Sequence, residues 1–131
     1  MRHRVLWKKN MKRLNYTSRR PWGSFYDLAQ ESGAWNLKVI FVKKGSRLSL
    51  QKHTLRSEFW VVANGTVHAR KGTKTFTLLP GDSLCIPRGV VHRLEGITDA
   101  WVIEITFGRH LERDIVRIAD DYGRIKKSKK G

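Results

Sequence analysis

Gly45-Ser46-Arg47-Leu48-Ser49-Leu50-Gln51-Lys52-His53-Thr54-Leu55-Arg56-Ser57-Glu58-Phe59-Trp60-Val61-Val62-Ala63-Asn64-Gly65 carries both the strand rhythm and the chemistry of this chain. Two runs in it, Arg47 to Gln51 and Ser57 to Ala63, read as short strands bounded by turn residues. Gln51, His53 and Glu58, three side chains able to hold a metal ion, lie on or beside those runs. Residues two apart on a strand share a face, so Gln51 and His53 are expected to look one way and Lys52 the other. A lone histidine more often serves as an ordinary polar group. An imidazole, a carboxylate and an amide oxygen this close together instead form a mixed N/O set suited to zinc, manganese, iron or cobalt.

Outward from this stretch the same rhythm continues. Leu37 to Val42, Thr66 to Lys71, Lys74 to Leu78, Ser83 to Ile86, Val91 to Glu95 and Ala100 to Phe107 read as further strands. They are separated by Lys44-Gly45, Asn64-Gly65, Lys71-Gly72, Pro80-Gly81-Asp82 and Pro87-Arg88-Gly89. Glycine takes positive φ without a steric penalty and proline presets a turn, so these breaks, spaced about 8 to 12 residues apart, predict an all-β sandwich or barrel. Asn64-Gly65 is the strongest hairpin signal. Helix is expected only as a turn or two between Leu111 and Ala119, and no internal repeat is present.

The chain has 131 residues, 40% hydrophobic and 29% charged, with five Trp and five Phe. That is one domain's length and too apolar and aromatic for a disordered chain. No apolar run approaches the roughly 20 residues that cross a bilayer, and the basic start is not followed by a signal-like apolar region. The single Cys85 cannot form an intramolecular disulfide and is expected to behave as a small buried hydrophobe, which points to a reducing cytoplasm. The net charge of +16 is concentrated at the ends: residues 1–20 hold eight Lys or Arg and no acid, and residues 124–131 hold five and no acid. The division expected is a basic arm over 1–19, a domain over 20–124 and a basic tail over 125–131. Such tails favour solubility and non-specific contact with nucleic acid or another acidic surface, and no motif of a nucleic-acid fold accompanies them.

A second block, Gly81, five residues, Pro87-Arg88-Gly89, two residues, His92, completes the pattern. With Gly45, Gln51, His53, Glu58 and Gly65 it resembles the paired motifs of the cupin superfamily, where the first block supplies neighbouring ligands and a Glu and the second a His. The fold this implies is a double-stranded β-helix of jelly-roll type, in agreement with the strand count. Arg20-Pro21-Trp22-Gly23-Ser24-Phe25, Arg47 to His53, Arg56 to Val62, Gly89 to Glu95, Asp114-Ile115-Val116-Arg117 and Asp120 to Arg124 narrow the likeness. They resemble the type II mannose-6-phosphate isomerase domain, which in its family often ends bifunctional proteins that also carry a mannose-1-phosphate guanylyltransferase domain. The resemblance covers about residues 20 to 124 and reaches no nucleotidyltransferase portion, so it implies none of that activity. Two departures stand out: Thr54-Leu55 where the family commonly has a His-rich stretch, and Gly96 where many cupins close with Asn.

The resemblance implies one divalent metal ion per chain, zinc first and manganese, cobalt or iron after it, held by Gln51, His53, Glu58 and His92. It further implies interconversion of mannose 6-phosphate and fructose 6-phosphate, a homodimer, and phosphate-binding arginines among Arg20, Arg47, Arg56 and Arg117. Arginine suits phosphate through its planar, bidentate fork. Strand parity places Arg47 on the face of Gln51 and His53 and turns Arg93 away from that of His92. Moving a proton between neighbouring carbons passes through an enediolate whose charge needs stabilising. No residue is evident as the base. Trp22, Trp60 and Trp101 are expected in the core. The alternatives are a cupin that binds a sugar or sugar phosphate without turnover, with a possible regulatory role, and an oxygen-using metalloenzyme, which Gln51 in place of an imidazole disfavours.

Overall fold

The computed structural model describes residues 16–109 and 111–125. In chain order its strands are β1 (Tyr16–Arg20), β2 (Gly23–Glu31), β3 (Trp35–Val42), β4 (Leu50–Lys52), β5 (Arg56–Asn64) and β6 (Val67–Lys71). Then follow β7 (Lys74–Leu78), β8 (Ser83–Ile86), β9 (His92–Gly96), β10 (Ala100–Gly108) and β11 (Val116–Ala119). A six-stranded sheet in the order β1-β2-β3-β10-β5-β8 lies against a five-stranded sheet in the order β11-β4-β9-β6-β7, and every pairing is antiparallel. The expected all-β jelly roll of cupin type is the fold observed. Tyr16 to Arg19, read from sequence as arm, belong to β1. Residues 1–15 and 126–131, the rest of the arm and nearly all of the tail, lie outside the described residues.

Alternation explains the interior. Along β5, Arg56, Glu58, Trp60 and Val62 point inward, and along β10 so do Ala100, Val102, Glu104 and Thr106. Register joins them in rows. Val62, Val102, Ile40 and Phe25 form an apolar row, Trp60, Glu104, Lys38 and Asp27 the next, and Glu58, Thr106 and Asn36 a third. The jelly roll is thus oily at one end, where Val42, Val62, Val67, Ala69, Leu94 and Val102 are fully buried, and polar at the other. Each fully buried Val or Leu contributes on the order of 1.5–3 kcal/mol, which lets the polar end carry groups that do not favour folding.

Several sequence expectations change here. Asn64-Gly65 does not close a hairpin: β5 and β6 lie in different sheets, and the glycine carries the chain between them. Its φ of 80°, and a Cβ that would meet the Asp99 carbonyl oxygen at 2.2 Å, explain why glycine stands there. Gly96 does more than form a turn, since a Cβ would lie 2.6 Å from the Lys43 carbonyl oxygen. Leu111 to Ala119 forms a single 3-10 turn, Glu112–Asp114, and then strand β11.

Cys85 is exposed, facing outward from the edge strand β8. Trp101 is 37% exposed rather than core. It belongs to an outer face on which Trp101, Ile103, Ile105 and Phe107 stand beside Phe41, Val39, Leu37 and Trp35 of β3, with Val61 and Phe59 of β5 next to Ile103 and Ile105. An antiparallel sheet with one wet face alternates apolar and polar residues. These ten positions contain no charge, so the expectation that an aromatic side chain lies in the core fails for Trp101, which belongs to an apolar face turned outward.

Candidate metal centre and cavity

His53 directly follows β4, Glu58 is the third residue of β5 and His92 opens β9. The Pro87-Arg88-Gly89 turn docks on the first of these, with the Gly89 amide donating to the His53 carbonyl at 2.8 Å. All three side chains are buried, at 1%, 3% and 1% exposure. One ligand atom from each lies within 4.8 Å of the other two. His53 Nε2 is 2.7 Å from Glu58 Oε1, and His92 Nε2 is 3.7 Å from Glu58 Oε2. Each imidazole has its Nδ1 against a backbone carbonyl, His53 on Arg56 at 3.2 Å and His92 on Val90 at 2.9 Å. Those contacts turn the Nδ1 protons outward and leave each Nε2 facing Glu58, the atom that would bind a metal in place of a proton. Trp60 fixes the carboxylate from its other side, donating Nε1–H to Glu58 Oε2 at 2.8 Å.

His92 Nε2 is buried with no hydrogen-bond partner among the described residues. A lone pair aimed at a carboxylate, with a second imidazole alongside at 4.7 Å between ring centroids, is satisfied by a cation placed among them. The charges agree. Burial alone would raise Glu58, but the His53 hydrogen bond and the nearby His92, His53 and Arg56 charges lower it to about 2. Burial lowers His92, with Glu58 opposing, so its ring favours the neutral form that binds metals.

A cavity of about 190 Å³ opens beside Glu58, with Gln51, Trp22 and Glu104 among its walls. Arg20, Lys38, Arg56, Arg117 and Arg124 bring positive charge to it. One side is closed by a strap, residues 111–125, whose strand β11 pairs with β4 so that Arg117 lies opposite Gln51. The Asp114 carboxylate accepts from the Thr54 and Leu55 amides and the Thr54 hydroxyl, at 2.8 to 3.2 Å. Arg93 donates to the Leu48 and Ala119 carbonyls, and Arg47 to Asp121. Thr54-Leu55, the departure from the family's His-rich stretch, is therefore the strap's docking point.

Comparison with known proteins gives this geometry a lineage. Residues 8–120 match the family described as mannose-6-phosphate isomerase C-terminal. The chain belongs to that family. It is 45% identical over 108 residues to the alginate biosynthesis protein AlgA of Pseudomonas aeruginosa, covering 80% of this chain and 22% of that one. To mannose-1-phosphate guanylyltransferase 2 of Escherichia coli O157:H7 it is 40% identical over 106 residues, 79% of this chain and 22% of that one. The chain thus spans about a fifth of the length of these relatives. Among solved structures, an RmlC-like cupin from Shewanella frigidimarina superposes with a TM-score of 0.67 at 20% identity, over 79% of this chain and 91% of that one, a likeness of fold.

The structure brings together His53, Glu58 and His92 and sets Gln51 on the strand beside His92, directly opposite it in register. The Gln51 amide oxygen accepts from the Ser49 hydroxyl at 3.1 Å. Of the four arginines expected at the substrate, Arg20, Arg56 and Arg117 border the cavity and Arg47 does not. Arg47 precedes β4, making one isolated bridge to Glu95, so strand parity does not extend to it and its side chain turns out to Asp121. Trp22 and Trp60 are buried as expected, and both serve the site as well as the core.

Lys38, Glu104 and Arg124 were missed. The first two had a legible signal: each is the lone charge inside an apolar strand, Leu37-Lys38-Val39-Ile40 and Ile103-Glu104-Ile105. Burial, then the charge of Glu58, raises Glu104 to about 7. No helix among the described residues is long and apolar enough to cross a membrane.

Proposed function

We propose that the protein is a metal-dependent aldose-ketose isomerase interconverting mannose 6-phosphate and fructose 6-phosphate. The observation that carries this reading is the convergence of His53 and His92 on Glu58, which itself borders a cavity ringed by cations, in a chain of the mannose-6-phosphate isomerase C-terminal family. His53 Nε2, His92 Nε2 and Glu58, with the amide oxygen of Gln51 as fourth donor, would hold a divalent ion, zinc before manganese, cobalt or iron. Bound there, such an ion supplies Lewis acidity that stabilises negative charge developing on the sugar oxygens. Arg20, Arg117 and Arg124, with Lys38, orient the phosphate by charge-assisted hydrogen bonds. The strap covers the sugar and excludes water, and the Trp22 and Phe25 side chains give it an apolar wall.

As macromolecular partner we infer a second copy of this chain, joined through the uncharged outer face of β3, β10 and β5. A two-fold interface sets the same patch against itself, and this patch carries no charge to repel its image. Ten apolar side chains, with Trp101 and Phe107 the most exposed, form a patch with which a copy of itself could pair.

A second reading, a cupin that binds a sugar phosphate without turnover, is favoured by Thr54-Leu55, which is exposed, held by Asp114 and brings no histidine to the cavity. The deciding experiment is a coupled assay of mannose 6-phosphate conversion by protein stripped with a chelator and reloaded separately with zinc, manganese, cobalt or iron. Metal-restored turnover, lost in His53→Ala and His92→Ala, establishes the isomerase. Stoichiometric metal and sugar-phosphate binding with no turnover establishes the binding protein. Activity requiring iron and oxygen would replace both readings.

A further inference from the structure

We propose that the Glu104 carboxyl group carries the proton between the two reacting carbons of the sugar, a role that rests on the isomerase reading. Four buried or cavity-lining features converge on this residue.

The first is position. Glu104 points inward from β10 directly opposite Trp60, whose indole holds Glu58 two residues along the same strand. Glu104 and Glu58 are therefore diagonal neighbours on one inner face, a relationship that sets side chains roughly 7–8 Å apart at their bases and lets a long side chain reach the same small molecule. Both border the same cavity.

The second is availability. Three carboxylates line that cavity. Glu58 has one oxygen on His53 and the other on Trp60. Asp27 accepts from the Asn36 amide at 3.4 Å. Among the described residues no donor is recorded on Glu104, which is 7% exposed. Lys38, opposite it on β3, lies instead over the Phe25 ring at 4.3 Å.

The third is cost. A carboxyl group at a buried position in an otherwise apolar strand does not favour folding, and Leu or Val would continue the run. The fourth is acid-base character: burial holds the group where it exchanges a proton readily near neutrality.

The step balances without a co-reactant. Starting from the open-chain aldose, the Glu104 carboxylate takes the proton from C2; the C–H electron pair becomes the C1=C2 double bond and the carbonyl pair moves to O1. The proton on O2 passes to O1. The Glu104 O–H bond then breaks, its proton goes to C1 as the double-bond pair forms the new C–H bond, and the charge on O2 returns as the C2 carbonyl. The carboxylate ends as it began.

The test uses the full chain loaded with zinc or manganese and compares wild type with Glu104→Gln and Glu104→Asp. Expected for Glu104→Gln are unchanged metal content, a KM for mannose 6-phosphate within about threefold of wild type, and a fall of about 10²–10⁴-fold in kcat and in exchange of the C2 proton with deuterated solvent. Glu104→Asp should restore part of the lost rate. Infrared difference spectra of the wild type should show a carboxyl band that changes when mannose 6-phosphate is added and is missing from Glu104→Gln, a readout that needs no turnover. An active wild type with a Glu104→Gln variant that keeps kcat and exchange overturns this proposal alone. A wild type that neither isomerises nor exchanges overturns the isomerase reading and this role with it.

Discussion

His53 Nε2 lies 2.7 Å from Glu58 Oε1, although His53 follows a strand of the five-stranded sheet and Glu58 belongs to the six-stranded one. The contact spans the mouth of the jelly roll, with His92 completing the group. A metal held there would fasten the two sheets together. Zinc binding should therefore raise the melting temperature, the stabilisation growing with the logarithm of the ratio of free zinc to Kd, and His92→Ala should remove both the stoichiometric zinc and the shift. Calorimetric titration and thermal unfolding of the same samples check this.

Trp60 reaches the site through its hydrogen bond to Glu58 and through edge-on packing against the His92 ring, 5.6 Å between centroids. Trp60→Phe keeps most of the buried area and deletes the donor, so zinc affinity should fall about tenfold to a hundredfold with the fold intact. Competition with a chromophoric chelator gives the number.

Arg47 and Arg117 separate two uses of the same side chain. Arg47 is tied to Asp121 on the surface, whereas Arg117 borders the cavity opposite Gln51. Arg117→Ala should raise the KM for mannose 6-phosphate more than tenfold, and Arg47→Ala by less than threefold. Steady-state kinetics of the two variants decide it.

Asp114 holds the strap by accepting from Thr54 and Leu55, and those bonds lower its proton affinity against the opposing effect of burial. A depressed carboxylate contributes above its unfolded value near 4 and loses that contribution as pH falls through its lower folded value. The strap should loosen in acid, and Asp114→Ala should loosen it at neutral pH. Faster limited proteolysis within residues 111–125, with a raised KM, is the expected outcome.

Glu104 has the opposite sign. Its folded value, raised to about 7, means that the folded chain holds the proton more tightly than the unfolded one. The metal-free protein is favoured below the unfolded value near 4.5 and loses stability as pH rises toward 7. Glu104→Gln removes that loss, so its gain over wild type should grow from pH 5 to pH 8 by up to about 3 kcal/mol. Urea unfolding in a chelating buffer at the two pH values measures it.

The outer face offers a prediction about assembly. Ile105 lies at its centre, between Leu37 and Phe59. Ile105→Lys should convert a dimer into a monomer, read by sedimentation velocity.

The amino-acid sequence by itself determined the all-β jelly roll, and its resemblance to a family pointed to the residues of which His53, Glu58 and His92 converge. Strand alternation and turn glycines are local properties, written in neighbouring residues. Lys74–Leu78 and Ser83–Ile86 were legible to the residue because turns bound them on both sides. Tertiary structure decided what depends on which segments meet. Gly65 reads as a hairpin turn until Asp99 is seen behind it. Arg47 reads as inward until β4 is seen to begin three residues later. Tyr16 to Arg19 and Val116 to Ala119 read as arm and helix because their β character comes from partners elsewhere in the chain, β2 and β4. Glu104 is the clearest case. A single acid in an apolar strand announces that something is unusual, but only the register against Trp60 and the cavity beside Glu58 show where its carboxyl group is directed.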